Sequence, residues 1–156
     1  MPYLQAVIRE TLRLYPIPAE FYKEVPPEGD TVEGVFLPGG TWLGCNMYSM
    51  MRRKDLWGDD SEQFRPERWL DAAAEEKTDG GERFRNMCNL VDLGFGSGRF
   101  QCLGKPMGLM EMNKVIVEMM RHFDFAAVNP ERPVDVGGYL MYLIKGQLLR
   151  FERKGG

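Results

Sequence analysis

The chain has 156 residues, with 20 basic and 23 acidic side chains and a net charge of −3. That is long enough for one domain with a real core, and the charge balance gives no electrostatic case for a nucleic-acid partner. No apolar run reaches the roughly 18 residues of a membrane span, and no signal peptide or other targeting segment opens the chain.

Three widely spaced cysteines, Cys45, Cys88 and Cys102, argue against a disulfide framework, so no disulfide partner is expected. Reduced thiols fit a cytosol-facing protein. No Cys-x-x-Cys pair occurs and His122 is the only histidine, which argues against zinc.

Residues 3–15 put Leu4, Val7, Ile8, Leu12 and Tyr15 at helical spacing, with Pro2 in the first turn and Pro16 and Pro18 as the stop. Glu10 and Arg13 lie three apart on this helix and share a face. Taken alone, such a pair is a solvated ion pair worth about 0.3–0.5 kcal/mol. Residues 16–30 read as an extended, proline-punctuated stretch carrying Phe21, Tyr22 and Val25. Two strands, 32–37 and 41–47, then predict a hairpin over 32–47, turning at Pro38-Gly39-Gly40. Residues 48–56 read as a short helix ended by Trp57-Gly58-Asp59-Asp60.

The segment 64–69 follows, as Phe64-Arg65-Pro66-Glu67-Arg68-Trp69. An arginine between a proline and a tryptophan can pack its stem on the ring. Residues 71–89 are polar and weakly patterned and predict a surface loop.

Residues 95–104 read Phe-Gly-Ser-Gly-Arg-Phe-Gln-Cys-Leu-Gly. Gly96, Gly98 and Gly104 remove side chains where something flat could press on backbone. Phe95 adds an aromatic surface and Arg99 a fixed cation. Cys102 stands just before a helix predicted over 106–123, a position that favours a thiolate. Such parts suit a thiolate that ligates a metal in a large planar cofactor. The alternative is a glycine-rich turn with an inert cysteine acting as a small hydrophobe. The helix itself is apolar over much of its circumference and is predicted to be buried. A terminal hairpin over 139–152, turning at Lys145-Gly146, closes the chain.

The stretch 95–104 resembles the cysteine-ligand loop of the cytochromes P450, whose pattern is Phe-Gly-x-Gly-x-Arg-x-Cys-x-Gly. Phe95, Gly96, Gly98, Cys102 and Gly104 match, whereas the family's arginine position holds Phe100. Glu10-Thr11-Leu12-Arg13 resembles the family's Glu-x-x-Arg helix, and residues 64–69 resemble its Pro-Glu-Arg-Trp segment. These elements stand in the family's order, and the wording around them is most similar to filamentous-fungal members, including those of secondary metabolism.

The resemblance implies the C-terminal part of the cytochrome P450 fold, incomplete: mainly α with small β-sheets, of the α+β class. It implies haem b held by Cys102 as the axial ligand of the iron, with Phe95, Gly96, Gly98, Arg99, Phe100 and Gly104 around it. A thiolate ligand donates electrons toward the iron and favours O–O cleavage, and backbone N–H groups are expected to hydrogen-bond its sulfur. It implies a monooxygenase that inserts one oxygen atom into a small apolar organic substrate, served by an NADPH-dependent reductase. A haem-thiolate isomerase or dehydratase, or a non-catalytic haem-binding polypeptide, are the other readings. Glu10, Arg13 and Arg68 are implied to form a buried structural triad. Ile17, Ala19 and Phe21, together with Tyr139 and Leu140, are implied to face substrate.

Full-length relatives are expected to be much longer, anchored at the cytosolic face of the endoplasmic reticulum. On this resemblance the membrane anchor and the helix over the distal haem face lie outside the chain. For the family arginine, either Arg99 or Lys105 stands in, or Phe100 packs on the porphyrin edge. The residues leave these alternatives open.

Overall fold

The structure, a computed structural model, describes residues 1–75, 81–132, 134–137 and 141–155. Helices and four small antiparallel two-stranded sheets alternate along the chain, a mixed α and β architecture. No helix among the described residues is long and apolar enough to cross a membrane.

Helix α1 (Pro2–Leu14) starts on the proline and stops before Pro16. Tyr15, the residue before that proline, has φ −125° and ψ 64°, since a following proline disfavours the helical region. The helix buries Ala6, Ile8, Glu10, Arg13 and Leu14.

The expected hairpin over 32–47 is corrected. Strand β1 (Glu20–Glu24) lies within the stretch read as merely extended, and it pairs with β4 (Trp42–Asn46), Tyr22 opposite Gly44. Between them β2 (Asp30–Val32) and β3 (Val35–Leu37) form their own hairpin. Its turn is Glu33-Gly34, with φ of 49° and 79°. Positive φ at both central residues matches the twist of a two-residue hairpin, so this turn closes the β2–β3 hairpin, while Pro38-Gly39-Gly40 makes a separate turn in which the Thr41 N–H donates to Pro38 O at 3.2 Å. The Val25 N–H donates to Thr41 O at 2.8 Å and the Gly40 N–H to Val25 O at 3.0 Å. These bonds close the base of the segment that carries the hairpin.

The short helix predicted over 48–56 is two single turns, α2 (Met47–Met50) and α3 (Lys54–Trp57). Asn46 caps the first by accepting from the Ser49 N–H at 2.8 Å. Helix α4 (Glu67–Ala74) follows.

The surface loop predicted over 71–89 is also corrected, because α5 (Glu82–Asp92) occupies its second half. Phe84, Met87, Cys88 and Val91 recur at helical spacing and face the core. Six charged or amide residues among them mask that pattern when polarity alone is counted. Residues 76–80, the rest of that stretch, lie outside the described residues.

Ala6, Met47, Met51, Trp57, Trp69, Ala72, Met87 and Val91 make one buried cluster. It is built from α1 to α5, and Trp57 and Trp69 meet in it with ring centroids 5.8 Å apart.

Helix α6 (Lys105–His122) has the predicted extent within a residue, but the expectation that it is buried is not met. None of its residues is buried. It reaches α1 through Gln5, whose amide donates to Asn113 at 2.5 Å. An apolar helix with so few neighbours in the chain cannot cover its own circumference.

The terminal hairpin over 139–152 is corrected too. Strand β7 (Leu143–Lys145) pairs back to β6 (Asp135–Gly137), and β8 (Leu149–Arg153) pairs to β5 (Phe123–Ala127), directly after α6. Phe151 packs against both Phe123 and Phe125 across the second pair. Aromatic cross-strand contacts of that kind decide which strands pair.

Candidate functional site

Glu10, Arg13 and Arg68 come together in one buried cluster, with side chains 0%, 0% and 1% exposed. Arg13 grips Glu10 bidentately, Nε to Oε2 at 3.0 Å and Nη2 to Oε1 at 2.8 Å. Its remaining donors reach the carbonyls of Met51, Ser61 and Gln63 at 2.6, 2.7 and 3.1 Å. Arg68 donates from Nε to Glu10 Oε1 at 3.0 Å and from Nη1 to Trp57 O at 2.7 Å. Glu10 also accepts the backbone N–H of Arg65 at 3.0 Å and the indole N–H of Trp69 at 2.9 Å. A buried charge is tolerable only when paired and hydrogen-bonded all round, and this carboxylate is.

Burial by itself pushes the Glu10 carboxyl up. The bonds from Arg13, Arg65 and Trp69 and the Arg13 charge outweigh that and hold it below its ordinary value. The cluster thus ties α1 to the 57–63 turn and to α4.

Sequence reasoning missed two members. Asp60 takes Arg68 Nη1 at 3.1 Å and Arg65 Nε at 2.5 Å. Nothing in the sequence separates it from its neighbour Asp59, which is 99% exposed. The Trp69 indole was the second; its adjacency to Arg68 was the available signal.

The loop 95–104 leaves α5 through two short 3-10 turns, Leu93–Phe95 and Gly98–Phe100. The Cys102 N–H donates to Phe95 O at 2.7 Å, which fixes where the sulfur emerges. Gly96 has φ 77°, and a Cβ there would sit 2.6 Å from Phe100 O. Only glycine fits that close approach of backbone to backbone. Gly98 also has positive φ, 56°. Gly104 stands at the start of α6.

Cys102 is exposed and carries no disulfide, as are the half-buried Cys45 and Cys88 without one. Among the described residues no backbone N–H donates to its sulfur, and no group of His, Cys, Asp and Glu gathers at metal-binding distance.

Cys102 lines a cavity of about 610 Å³, within the roughly 300–1,000 Å³ range of ligand pockets. Phe95, Gly94 and Gly96 form the wall beside the thiol, and Leu12, Ile17, Pro18, Phe21, Phe100 and Met112 complete an apolar lining. Ile17 and Phe21 thus stand with Cys102. Ala19 does not: it is 3% exposed, and its carbonyl accepts the N–H groups of Met47 and Tyr48. Tyr139 and Leu140 lie outside the described residues. Arg99 lies over the Phe100 ring, and Lys105 is paired with Asp92 at 2.8 Å.

The sequence matches the family model described as Cytochrome P450 over residues 1–148. It is 39% identical over 155 residues to the cytochrome P450 monooxygenase ABA1 of Pyricularia oryzae, covering 99% of this chain and 29% of that protein. It is 41% identical over 160 residues to the cytochrome P450 monooxygenase cfoH of Aspergillus candidus, covering all of this chain and 29% of the relative. Pisatin demethylase of Fusarium vanettenii is 41% identical over 125 residues, 80% of this chain and 22% of its own length. The chain therefore spans less than a third of the curated relatives it matches. A match that runs nearly end to end leaves no stretch of motif unaccounted for: the chain belongs to the cytochrome P450 family.

Proposed function

We propose that this chain is the haem-binding C-terminal part of a haem-thiolate monooxygenase, with Cys102 as the axial ligand of the iron. The family implies a haem cofactor and generally works with an electron-donating reductase on organic substrates. The observation that carries the reading is the position of Cys102 on the wall of the 610 Å³ cavity. The residues present fit a haem. The lining is mostly apolar, glycine backbone stands beside the thiol, and Lys23 is the one cationic side chain in it among the described residues.

Bound there, haem b would supply dioxygen activation, the chemistry by which, with two electrons from an NADPH-dependent reductase and two protons, one oxygen atom would be inserted into a C–H bond of a small apolar substrate and the other released as water. The chain's own residues hold and exclude. The bond from the Cys102 N–H to Phe95 O keeps the sulfur at the cavity wall. Phe95 and Met112 keep water from that side, and a thiolate in a dry site is a stronger electron donor toward iron. Ile17 and Phe21 would offer apolar contact to substrate. Glu10, Arg13 and Arg68 act as a structural triad, holding α1, whose Leu12 lines the cavity, against α4 rather than touching substrate.

The test is the reduced carbonyl complex of the full-length holoprotein that carries this chain. The red-shifted Soret band of thiolate ligation is expected in the wild type, in Cys45→Ser and in Cys88→Ser. It is expected to vanish in Cys102→Ser. An unchanged band in that variant would refute the assignment.

A further inference from the structure

Helix α1 ends where prolines begin, and the last carbonyls of a helix have no partner within it. The N–H that would continue the helix to Leu14 O belongs four residues on, at Pro18, which has none. Arg52, two residues past α2, supplies a donor instead: its Nη2 reaches Leu14 O at 2.7 Å. A cation is also favoured at this end of a helix. The guanidinium is itself held in place. It lies 3.7 Å from the centroid of the Tyr48 ring and donates from Nε to Glu62 at 3.1 Å, and its side chain is 12% exposed. Tyr142 meets the same tyrosine, with ring centroids 5.8 Å apart.

The other end of the stretch after α1 is tied to the same short helix. Ala19 O accepts the Met47 N–H at 2.9 Å and the Tyr48 N–H at 3.3 Å. Between the two ties lie Tyr15, Pro16, Ile17 and Pro18, and each proline has its φ fixed by its ring. A segment that is stiff at two positions and fastened at both ends has little room to shift. Ile17 and Pro18 are the part of it that lines the cavity with Cys102. Ile17 is 54% exposed, so the backbone ties and not packing around its side chain fix where it stands. The Ala19 tie is backbone to backbone, whereas the Leu14 tie depends on one side chain.

We infer that Arg52, which is no part of the cavity lining among the described residues, is a positioning residue for the ligand-binding wall. It sets where Ile17 and Pro18 stand, and the Tyr48 ring holds it ready to do so. This rests on the reading of the cavity given above. The discrimination between ligands of different apolar bulk is then set in part from outside the cavity, by a cation on the end of α1.

The experiment titrates the full-length holoprotein that carries this chain with imidazole and with 4-phenylimidazole, each followed by the Soret shift as it binds the ferric haem. Imidazole is too small to press on the wall, and the phenyl group gives the second probe an apolar body that does. Arg52→Met keeps an apolar stem and removes the donors. It is expected to raise the Kd of 4-phenylimidazole about fivefold to tenfold, the factor carried by one hydrogen bond from a charged donor. The Kd of imidazole is expected to stay unchanged. Arg52→Lys, which keeps a donor for Leu14 O, is expected to recover most of the difference. Glu62→Gln is expected to match the wild type, since Glu62 is 68% exposed and a surface pair contributes little. Ile17→Ala is expected to weaken 4-phenylimidazole alone, and adding Arg52→Met to it to change little more, because both act through one contact. An unchanged ratio of the two Kd values in Arg52→Met would overturn the inference. Equal weakening of both probes would overturn it too, because it would show a general structural role. If Arg52→Met retains no haem, Tyr48→Leu decides in its place: it leaves the donors and removes the ring that holds them, and an unchanged ratio there overturns the inference. Failure of the underlying reading shows separately, as a thiolate carbonyl band that survives Cys102→Ser or an unchanged ratio in Ile17→Ala.

Discussion

Trp69 donates its indole N–H to Glu10 Oε2 at 2.9 Å across 59 positions of sequence. The acid of the Glu-x-x-Arg helix is therefore held by both Arg68 and its neighbour, on a single turn of α4. In Glu10→Ala, two buried guanidiniums and the indole lose their shared acceptor. Breaking one member out of a buried ion network costs about 3–5 kcal/mol, and typical domains have only about 5–15 kcal/mol in all. Little folded holoprotein is expected, read as haem per polypeptide and by thermal melting. Full haem content with an unchanged melting point would mean the cluster does not hold the fold.

Acid should act on the same cluster. Burial pushes Glu10 upward, and the bonds from Arg13, Arg65 and Trp69 outweigh it and hold the carboxyl below its ordinary range. At Asp60, burial again pushes upward, and the bonds and charges of Arg68 and Arg65 pull the carboxyl down further. A carboxylate depressed in the folded state contributes stability that is fully present above its unfolded pKa, about 4. That contribution is lost as pH falls through the lower folded value. Melting temperature measured from pH 7 downward is expected to hold level until about pH 4 to 5 and then to drop. In Asp60→Asn the drop should be shallower, from a lower plateau. A melting temperature that rises on acidification would contradict this.

The parts legible in the sequence were those where chemistry and spacing coincide in a short window. Glu10 and Arg13 share one helical turn, Arg68 sits in a fixed tetrapeptide, and the cysteine loop is a single run of ten residues. Strand pairing was not legible, because it is decided across gaps. Glu20–Glu24 finds Trp42–Asn46 only after a hairpin has formed between them, and Leu149–Arg153 bypasses its neighbour to reach Phe123–Ala127. The α5 stripe was hidden by its polar company. Asp60 emerges as a member of the cluster only in three dimensions, since surface charges look alike in a sequence.

Gly96→Ala tests the loop without touching any chemical group. The new methyl would meet Phe100 O at 2.6 Å, a backbone atom that cannot rotate away. Positive φ adds a further penalty for any residue with a Cβ. Displacement of the 98–100 turn is expected to carry Phe100 and Cys102 with it. The expected outcome is a mixed or lost thiolate carbonyl band and haem loss at least tenfold faster, with helix content by circular dichroism nearly intact. A wild-type spectrum and off-rate would show that the loop relaxes at no cost. Gly108→Ala, where nothing lies within 4 Å, is the control.

Residues 1–156 expressed alone should behave poorly. On α6, Met107, Met110, Val115 and Met120 are each roughly half exposed or more. Large exposed apolar surface drives association, and the cavity has few walls to retain a ligand. Aggregation, weak haem retention and no substrate turnover are expected. A monomer by size-exclusion chromatography with stoichiometric haem and reductase-dependent oxidation would contradict that.

Because the Val25 and Gly40 N–H bonds tie the chain off at its base, residues 26–40 behave as a closed appendage whose length is decoupled from the site. The tip at Gly34 has nothing within 4 Å of where a side chain would begin. Extending a loop whose ends are already joined costs little, growing only with the logarithm of its length. Insertions, epitope tags or a reporter fluorophore placed at this tip would be invisible to Cys102, and natural length variation in the lineage has room to accumulate there.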